Sequence, residues 1–379
     1  MPKDSGLNIA DRTPISVPAP AYQRQDVVFA RPLELLSRAL ADRAFPGASV
    51  AVTSKGNLVC LKAVGRFTYE QNSPQVTTAG IFDLASLTKV VATTTMAMIL
   101  YERGLLDLEM PVASVFRDFA QDDSRRSKIS FRMLLAHSSG LPAYEKLFAR
   151  VRTRDEVLAA ALATPLAADP GSTTAYSDIG FIVLGAALER IAGDTLDRFC
   201  QQQIFGPLGM AHTAFRPPSQ WWSFIPPTAN DREFRGRVIQ GEVQDENASV
   251  MGGVAGHAGL FGTAEDLAVF ANAMLQGGVR IIRPETLALF AQRQPAPAGT
   301  SRALGWDTPS SPSQSGKYFS AASFGHLGYT GTSLWIDPER QLSVTLLTNR
   351  TWPDCSSQAI KQVRPQLHDA VLEALEGCR

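Results

Sequence analysis

The sequence predicts an α+β protein: an antiparallel sheet built from both ends of the chain, flanked by terminal helices, with a mainly helical region inserted between. Three observations predict it. Near the start, the apolar runs 48–53 and 58–64 flank Ser54-Lys55-Gly56-Asn57, a hairpin turn. Near the end, 332–336 and 342–348 flank Asp337-Pro338-Glu339-Arg340, a second hairpin. Between them the pattern is helical with Pro and Gly punctuation. The expected organisation is an extended N-terminal arm over 1–30, a discontinuous sheet region over 31–82 and 263–379, and a helical region over 83–262. A cleft is expected between the last two.

The arm carries Pro14, Pro18 and Pro20 among polar residues. Pro32 opens an apolar-periodic helix over 33–45, where its missing N–H costs nothing. After the first hairpin, residues 81–104 run almost without charge and without Gly or Pro until Arg103-Gly104. That reads as a helix buried on most faces with Gly104 as its stop. Short helices follow over 130–136 and 155–162, and an apolar one over 179–192. Residues 215–250, with Pro217-Pro218, Trp221-Trp222 and Pro226-Pro227, read as an irregular excursion, part of a rim or lid. A glycine-dense loop, 251–262, ends at Thr263-Ala264-Glu265-Asp266, a capping-box-like start for a helix over 267–275. A last helix over 358–375 is begun or kinked at Pro365.

Composition excludes several classes. At 379 residues the chain buries a large core, and 45% hydrophobic with 19% charged residues is ordinary for a globular protein. The 36 basic side chains balance 36 acidic ones, so no nucleic-acid partner is implied. Cysteines 60, 200, 355 and 378 show no Cys-x-x-Cys spacing, and the five histidines include no close ligand pair. No metal or other cofactor is expected. The N-terminus has no apolar signal segment and no stretch approaches a membrane span. A cytoplasmic protein is expected, although an exported chain already stripped of its signal would look the same.

Ser86 and Lys89 stand three residues apart at the start of the apolar helix. One helical turn sets such a pair on one face, within reach of each other. Burial and the positive end of the helix dipole both favour a neutral amine, which could take the Ser86 proton. Ser-x-x-Lys is a loose pattern, and serine is also a common helix cap. Two further stretches raise its weight. Tyr176-Ser177-Asp178 lies in a loop before an apolar helix, and a tyrosine near a lysine can relay a proton. Gly325-His326-Leu327-Gly328-Tyr329-Thr330-Gly331 leads into a strand, and its glycines let a carbonyl approach the backbone, as an oxyanion site needs.

The order of these stretches resembles the β-lactamase-related serine hydrolases: class C β-lactamases, D-alanyl-D-alanine peptidases and esterases of the same penicillin-binding-protein-like fold. Leu134-Leu135-Ala136-His137-Ser138-Ser139-Gly140 and Gly259-Leu260-Phe261-Gly262 match as well, and the resemblance spans roughly residues 35–375. It implies Ser86 as acylated nucleophile, Lys89 as its proton partner and Tyr176 in proton transfer. The backbone N–H groups of Ser86 and Tyr329 would form the oxyanion hole, with Asp178, His326, Gly328 and Tyr329 around the substrate. Two residues depart from the class C pattern. Asp178 replaces an asparagine, and His326 replaces a lysine with a group that titrates near neutrality. The weaker anchor for a carboxylate favours small esters or amides over β-lactams. A D-amino-acid peptidase acting on cell-wall fragments, hinted at by 245–248 with 251–256, and a weak β-lactamase are the enzymatic alternatives. A penicillin-sensor-like binding domain is the non-enzymatic one. Ser86, Lys89 and Tyr176 standing together argue against a dead site.

Overall fold

The computed structural model describes residues 17–377. Both hairpins form and join in one six-stranded sheet. Its order is Ala19–Pro20, Asn57–Gly65, Gly47–Ser54, Leu342–Thr348, Ser333–Asp337, Phe324–Leu327. Every pairing is antiparallel except that of Ala19–Pro20 with Asn57–Gly65. Lys55 and Gly56 hold φ of 49° and 76°, the twisted turn that a tight hairpin requires. The strands from the two ends of the chain meet in register, Val52 opposite Val344 and Val50 opposite Leu346.

The sheet is buried on both faces. Val50, Val52, Val344 and Leu346 meet the terminal helices Ala30–Ala41 and Ile360–Glu376, which bring Leu36, Leu367 and Val371 and pack on each other. Ala51 and Leu347 look the other way, into the larger core under the helix Ala264–Leu275. Pro365 does not end the last helix, which runs through it. A proline there leaves the Lys361 carbonyl without its helical partner, and the Gln314 side-chain amide donates to that carbonyl at 3.0 Å instead.

The apolar helix behind Ser86 opens as a wide π-helical stretch, Lys89–Thr94, and continues as the α-helix Thr95–Glu102. Threonines explain the difference from a plain α-helix. Thr95 Oγ1 donates to the Val90 carbonyl five residues back (2.8 Å), and Thr93 Oγ1 to the Gly256 carbonyl (2.7 Å). Gly104 stops the segment at φ 67°. The helix Asp178–Ala192 starts at Ser177, whose hydroxyl accepts from the Gly180 N–H at 2.9 Å. It packs backbone to backbone on the glycine-dense loop: a Cβ on Gly256 would stand 2.1 Å from the Phe181 carbonyl oxygen and 2.9 Å from Gly185 Cα.

Other parts depart from the sequence reading. Of the stretch 1–30 read as an extended arm, residues 1–16 lie outside the described residues, and Gln25–Val28 is a helical turn. The excursion 215–250 contains a short hairpin, Ala229–Asp231 with Arg237–Ile239, and the helix Glu246–Val250. Pro284–Ala291 is a further helix. Among the described residues no helix is long and apolar enough to cross a membrane.

Gly256→Ala drives a methyl group into the Phe181 carbonyl where the loop and two helices touch. Urea denaturation should show a loss of about 1–3 kcal/mol, the usual cost of overpacking. A variant as stable as the parent would mean that the loop yields freely.

Candidate active site

Ser86 sits where a short strand turns into a helix. Phe82–Asp83 pairs with Leu260–Gly262 in a small three-stranded sheet, and the chain then folds back within two residues. The turn requires Ala85 at φ 47°, an unfavourable conformation for any residue but glycine. Asp83 holds it there. Its carboxylate accepts from the Ala85 N–H at 2.8 Å and, through its other oxygen, from the Gln244 N–H at 2.7 Å. Burial pushes the Asp83 pKa up to about 6, against those two hydrogen bonds, which lower it.

Four of the residues read from the sequence converge here. Ser86 Oγ stands 2.7 Å from Tyr176 Oη and 3.0 Å from Lys89 Nζ. Lys89 is wholly buried, and its ammonium also donates to Asp178 Oδ1 at 2.6 Å and to the His257 carbonyl at 3.1 Å. Burial alone would lower the Lys89 pKa, but the Asp178 carboxylate and Tyr176 outweigh it, and the net shift is upward. The expectation of a neutral resting amine is therefore corrected: Lys89 is a cation at rest, paired with Asp178. Asp178, expected beside the substrate, has one carboxylate oxygen, Oδ1, on Lys89. Burial raises the Tyr176 pKa, partly opposed by the lysine charge, so Tyr176 is a neutral phenol.

The His326 expectation is corrected too. Its ring is buried, with Nδ1 2.8 Å from the Leu327 carbonyl and Nε2 without a hydrogen-bond partner. Burial first, then the charges of Lys89 and Arg302, hold its pKa well below the ordinary value, so it stays neutral near pH 7. The cation at this corner is Arg302, whose guanidinium carbon lies 5.3 Å from the Tyr176 ring centroid and whose nearest carboxylate oxygen, on Asp307, is 3.8 Å away. His137 also packs against the tyrosine, ring centroids 4.7 Å apart. Burial, with Arg302 and Lys89, depresses its pKa strongly as well, and its Nδ1 accepts from the Ser177 N–H.

Gly328 and Tyr329 form the turn between the edge strand Phe324–Leu327 and the strand Ser333–Asp337. Two threonines stitch this turn to the Ser86 segment: Thr330 Oγ1 donates to the Asp83 carbonyl (2.8 Å) and Thr332 Oγ1 to the Leu84 carbonyl (3.1 Å). A Cβ on Gly328 would collide with Thr332 Oγ1 at 1.9 Å and the Leu84 carbonyl oxygen at 2.7 Å, so only glycine allows the approach. Among the described residues neither the Ser86 nor the Tyr329 backbone N–H has a protein acceptor. The Tyr329 side chain is half-exposed.

Sequence reasoning missed Asp83, His137, Arg302, Thr330 and Thr332. Asp83 carried a local signal, an aspartate two residues before a turn N–H. Arg302 carried none. Among the described residues no cluster of His, Cys, Asp and Glu is placed to hold a metal ion.

A family model described as Beta-lactamase matches residues 34–364. A Salmonella typhimurium protein provisionally named D-alanyl-D-alanine carboxypeptidase is 32% identical over 350 residues, covering 82% of this chain and 80% of the relative. A class C β-lactamase structure superposes with a TM-score of 0.74 at 17% identity, over 92% of this chain and 98% of the other. EstCE1, described as a hydrolase with promiscuous acyltransferase activity, superposes at 0.73 with 22% identity, over 92% and 99%.

His137 and His326 are held neutral in the fold, with pKa values below those of the unfolded chain. The unfolded chain thus takes up protons first as pH falls. Stability from these groups is complete above about pH 6.5 and is lost as pH drops toward their folded values, by up to about 1.4 kcal/mol per pH unit for each. Urea melts between about pH 7 and 5 should show this slope, and His326→Gln should make it shallower. An unchanged slope in the variant would place a charged His326 in the fold.

Proposed function

This chain belongs to the Beta-lactamase family, and we propose that it is an acyl-enzyme serine hydrolase of small esters and amides. The observation that carries the reading is the position of Ser86 Oγ, within hydrogen-bond distance of both Tyr176 Oη and Lys89 Nζ. Two unoccupied backbone donors on adjoining segments, at Ser86 and Tyr329, support an oxyanion site beside it.

The proton path follows from the ion pair. Asp178 takes a proton from Lys89 across 2.6 Å, and the neutral amine takes the Ser86 hydroxyl proton across 3.0 Å as Oγ attacks the carbonyl carbon. The tetrahedral oxyanion forms against the Ser86 and Tyr329 N–H groups. On collapse, Tyr176 delivers its proton to the leaving oxygen or nitrogen and is reprotonated by Lys89, which recovers a proton from Asp178. Water then repeats the sequence on the acyl-serine. The net result is transfer of the serine proton to the leaving group, with no residue left altered.

A second reading, cleavage of a peptide with a free terminal carboxylate, is favoured by Arg302. Its weakly paired guanidinium beside Tyr176 offers the fixed charge that neutral His326 lacks. The carboxypeptidase name of the 32% identical relatives points the same way.

Ser86→Ala should lower kcat/KM for p-nitrophenyl acetate by about a thousandfold or more. Lys89→Ala with Tyr176→Phe should cost little more than the worse single change, because the two act on one proton path. Normal turnover by Ser86→Ala, or fully multiplicative losses in the pair, contradicts the reading. Arg302→Gln separates the substrate classes. It should cost about 10- to 100-fold in kcat/KM on an acetylated D-Ala-D-Ala dipeptide with a free carboxylate, the value of a charge-assisted hydrogen bond. The same dipeptide amidated, and the neutral ester, should change little. Equal effects on all three would remove the carboxypeptidase reading.

A further inference from the structure

The turn 328–332 has all five of its carbonyls occupied. Arg364 Nη2 donates to the Gly328 carbonyl at 2.6 Å and to that of Thr332 at 2.9 Å, and Arg364 Nε to that of Gly331 at 3.3 Å. Arg350 Nε donates to the Tyr329 carbonyl at 2.6 Å. The Thr330 carbonyl accepts from Thr348 Oγ1 at 2.8 Å and the Arg350 N–H at 3.0 Å. Both arginines are buried. Among the described residues the one charged group that bears on Arg364 is Arg350, itself a cation.

Burying a guanidinium without a carboxylate costs several kcal/mol. Packing alone gives no reason to place one here, since an apolar side chain would fill the same space at the end of a helix rich in Leu367 and Val371. The geometry of a single peptide supplies a reason. The Gly328 carbonyl and the Tyr329 N–H belong to one planar trans unit and point in opposite directions. Fixing the carbonyl, on Arg364 from behind and on the Gly331 N–H at 3.1 Å within the turn, fixes the N–H on the other side, where it has no protein acceptor. A donor drawn to one end of a peptide also polarises the other, making the N–H a stronger donor.

We propose that Arg364 is a positioning residue for the oxyanion site: it sets the plane of the Gly328–Tyr329 peptide so that the Tyr329 N–H meets the oxyanion. The charge it carries reaches the site through that peptide, with no contact to substrate. This inference rests on the acyl-enzyme reading, and the test keeps the two apart. No local pattern marks it, because Arg364 lies in the terminal helix, 32 to 36 residues along the chain from the carbonyls it holds.

The experiment compares wild type, Arg364→Met, Arg364→Lys and Leu367→Ala, the last a packing control on the same helix. For each, kcat and KM on p-nitrophenyl acetate are measured separately, with the affinity for phenylboronic acid, which forms a tetrahedral adduct with an active serine. Arg364→Met should lose about 10- to 100-fold in kcat with KM changed less than about threefold, and boronate affinity should fall in step. Arg364→Lys, which keeps a cation without the fork, should show an intermediate loss. Leu367→Ala should lower the melting temperature while leaving kcat and boronate affinity near wild type. If Arg364→Met does not fold, Arg364→Lys decides: kcat and boronate affinity equal to wild type overturn the proposal. So does an Arg364→Met that melts earlier yet keeps both values, as the packing control does. Wild-type protein that fails to take a fluorophosphonate label at Ser86 overturns the acyl-enzyme reading itself, and this inference with it.

Discussion

A wholly buried ammonium is the constraint to which the rest of the site answers. Lys89 is closed off from solvent, so each of its donors needs an acceptor, and three different segments supply them: Ser86 Oγ, Asp178 Oδ1 and the His257 carbonyl. Each acceptor arrives by a specific feature of the fold. Ser86 comes from the strained turn that Asp83 holds at Ala85. Asp178 lies in the first turn of its helix, where a negative charge also complements the helix dipole. The His257 carbonyl is carried by the glycine-dense loop, which reaches Lys89 because Gly256 and Gly185 pack without side chains. Removing Asp178 alone would leave a buried charge without its counter-ion, a far larger loss than the worth of an exposed pair.

The opposite wall comes from the sheet. A turn between two strands is tied to the Ser86 segment by Thr330 and Thr332 and from behind by Arg364 and Arg350. Ser86 and the Tyr329 N–H thus come from parts of the chain more than two hundred residues apart, yet their separation is set by direct hydrogen bonds between the two segments. The sheet that carries the turn is itself made from both chain ends. Its stability and the alignment of the site therefore depend on the same strand pairings.

What the sequence made legible was local chemistry. Ser54-Lys55-Gly56-Asn57 and Asp337-Pro338-Glu339-Arg340 marked the hairpins, because turn conformation is written in adjacent residues. Ser86 and Lys89 were legible for the same reason, being one helical turn apart. Tyr176 emerges only from its place in an order of motifs, since nothing local says which tyrosine reaches a serine 90 residues earlier. Partnership across the fold was not legible. The spacing of Asp178 from Lys89 says nothing about which group neutralises a buried cation. His326 was read as a titrating group because His-Leu-Gly does not reveal that its ring is buried beside two cations. Arg302 and Arg364 reach Tyr176 and the 328–332 turn through three-dimensional proximity alone.

In the proposed mechanism Ser86 becomes acylated during turnover. Rapid-quench mass spectrometry on wild-type protein mixed with p-nitrophenyl acetate tests it most directly. One added acetyl group is expected on the peptide that contains Ser86, appearing before the steady state and decaying at the turnover rate once substrate is spent. Turnover with Ser86 unmodified throughout, or an acetyl group that resides on another residue and decays at that same rate, would contradict it.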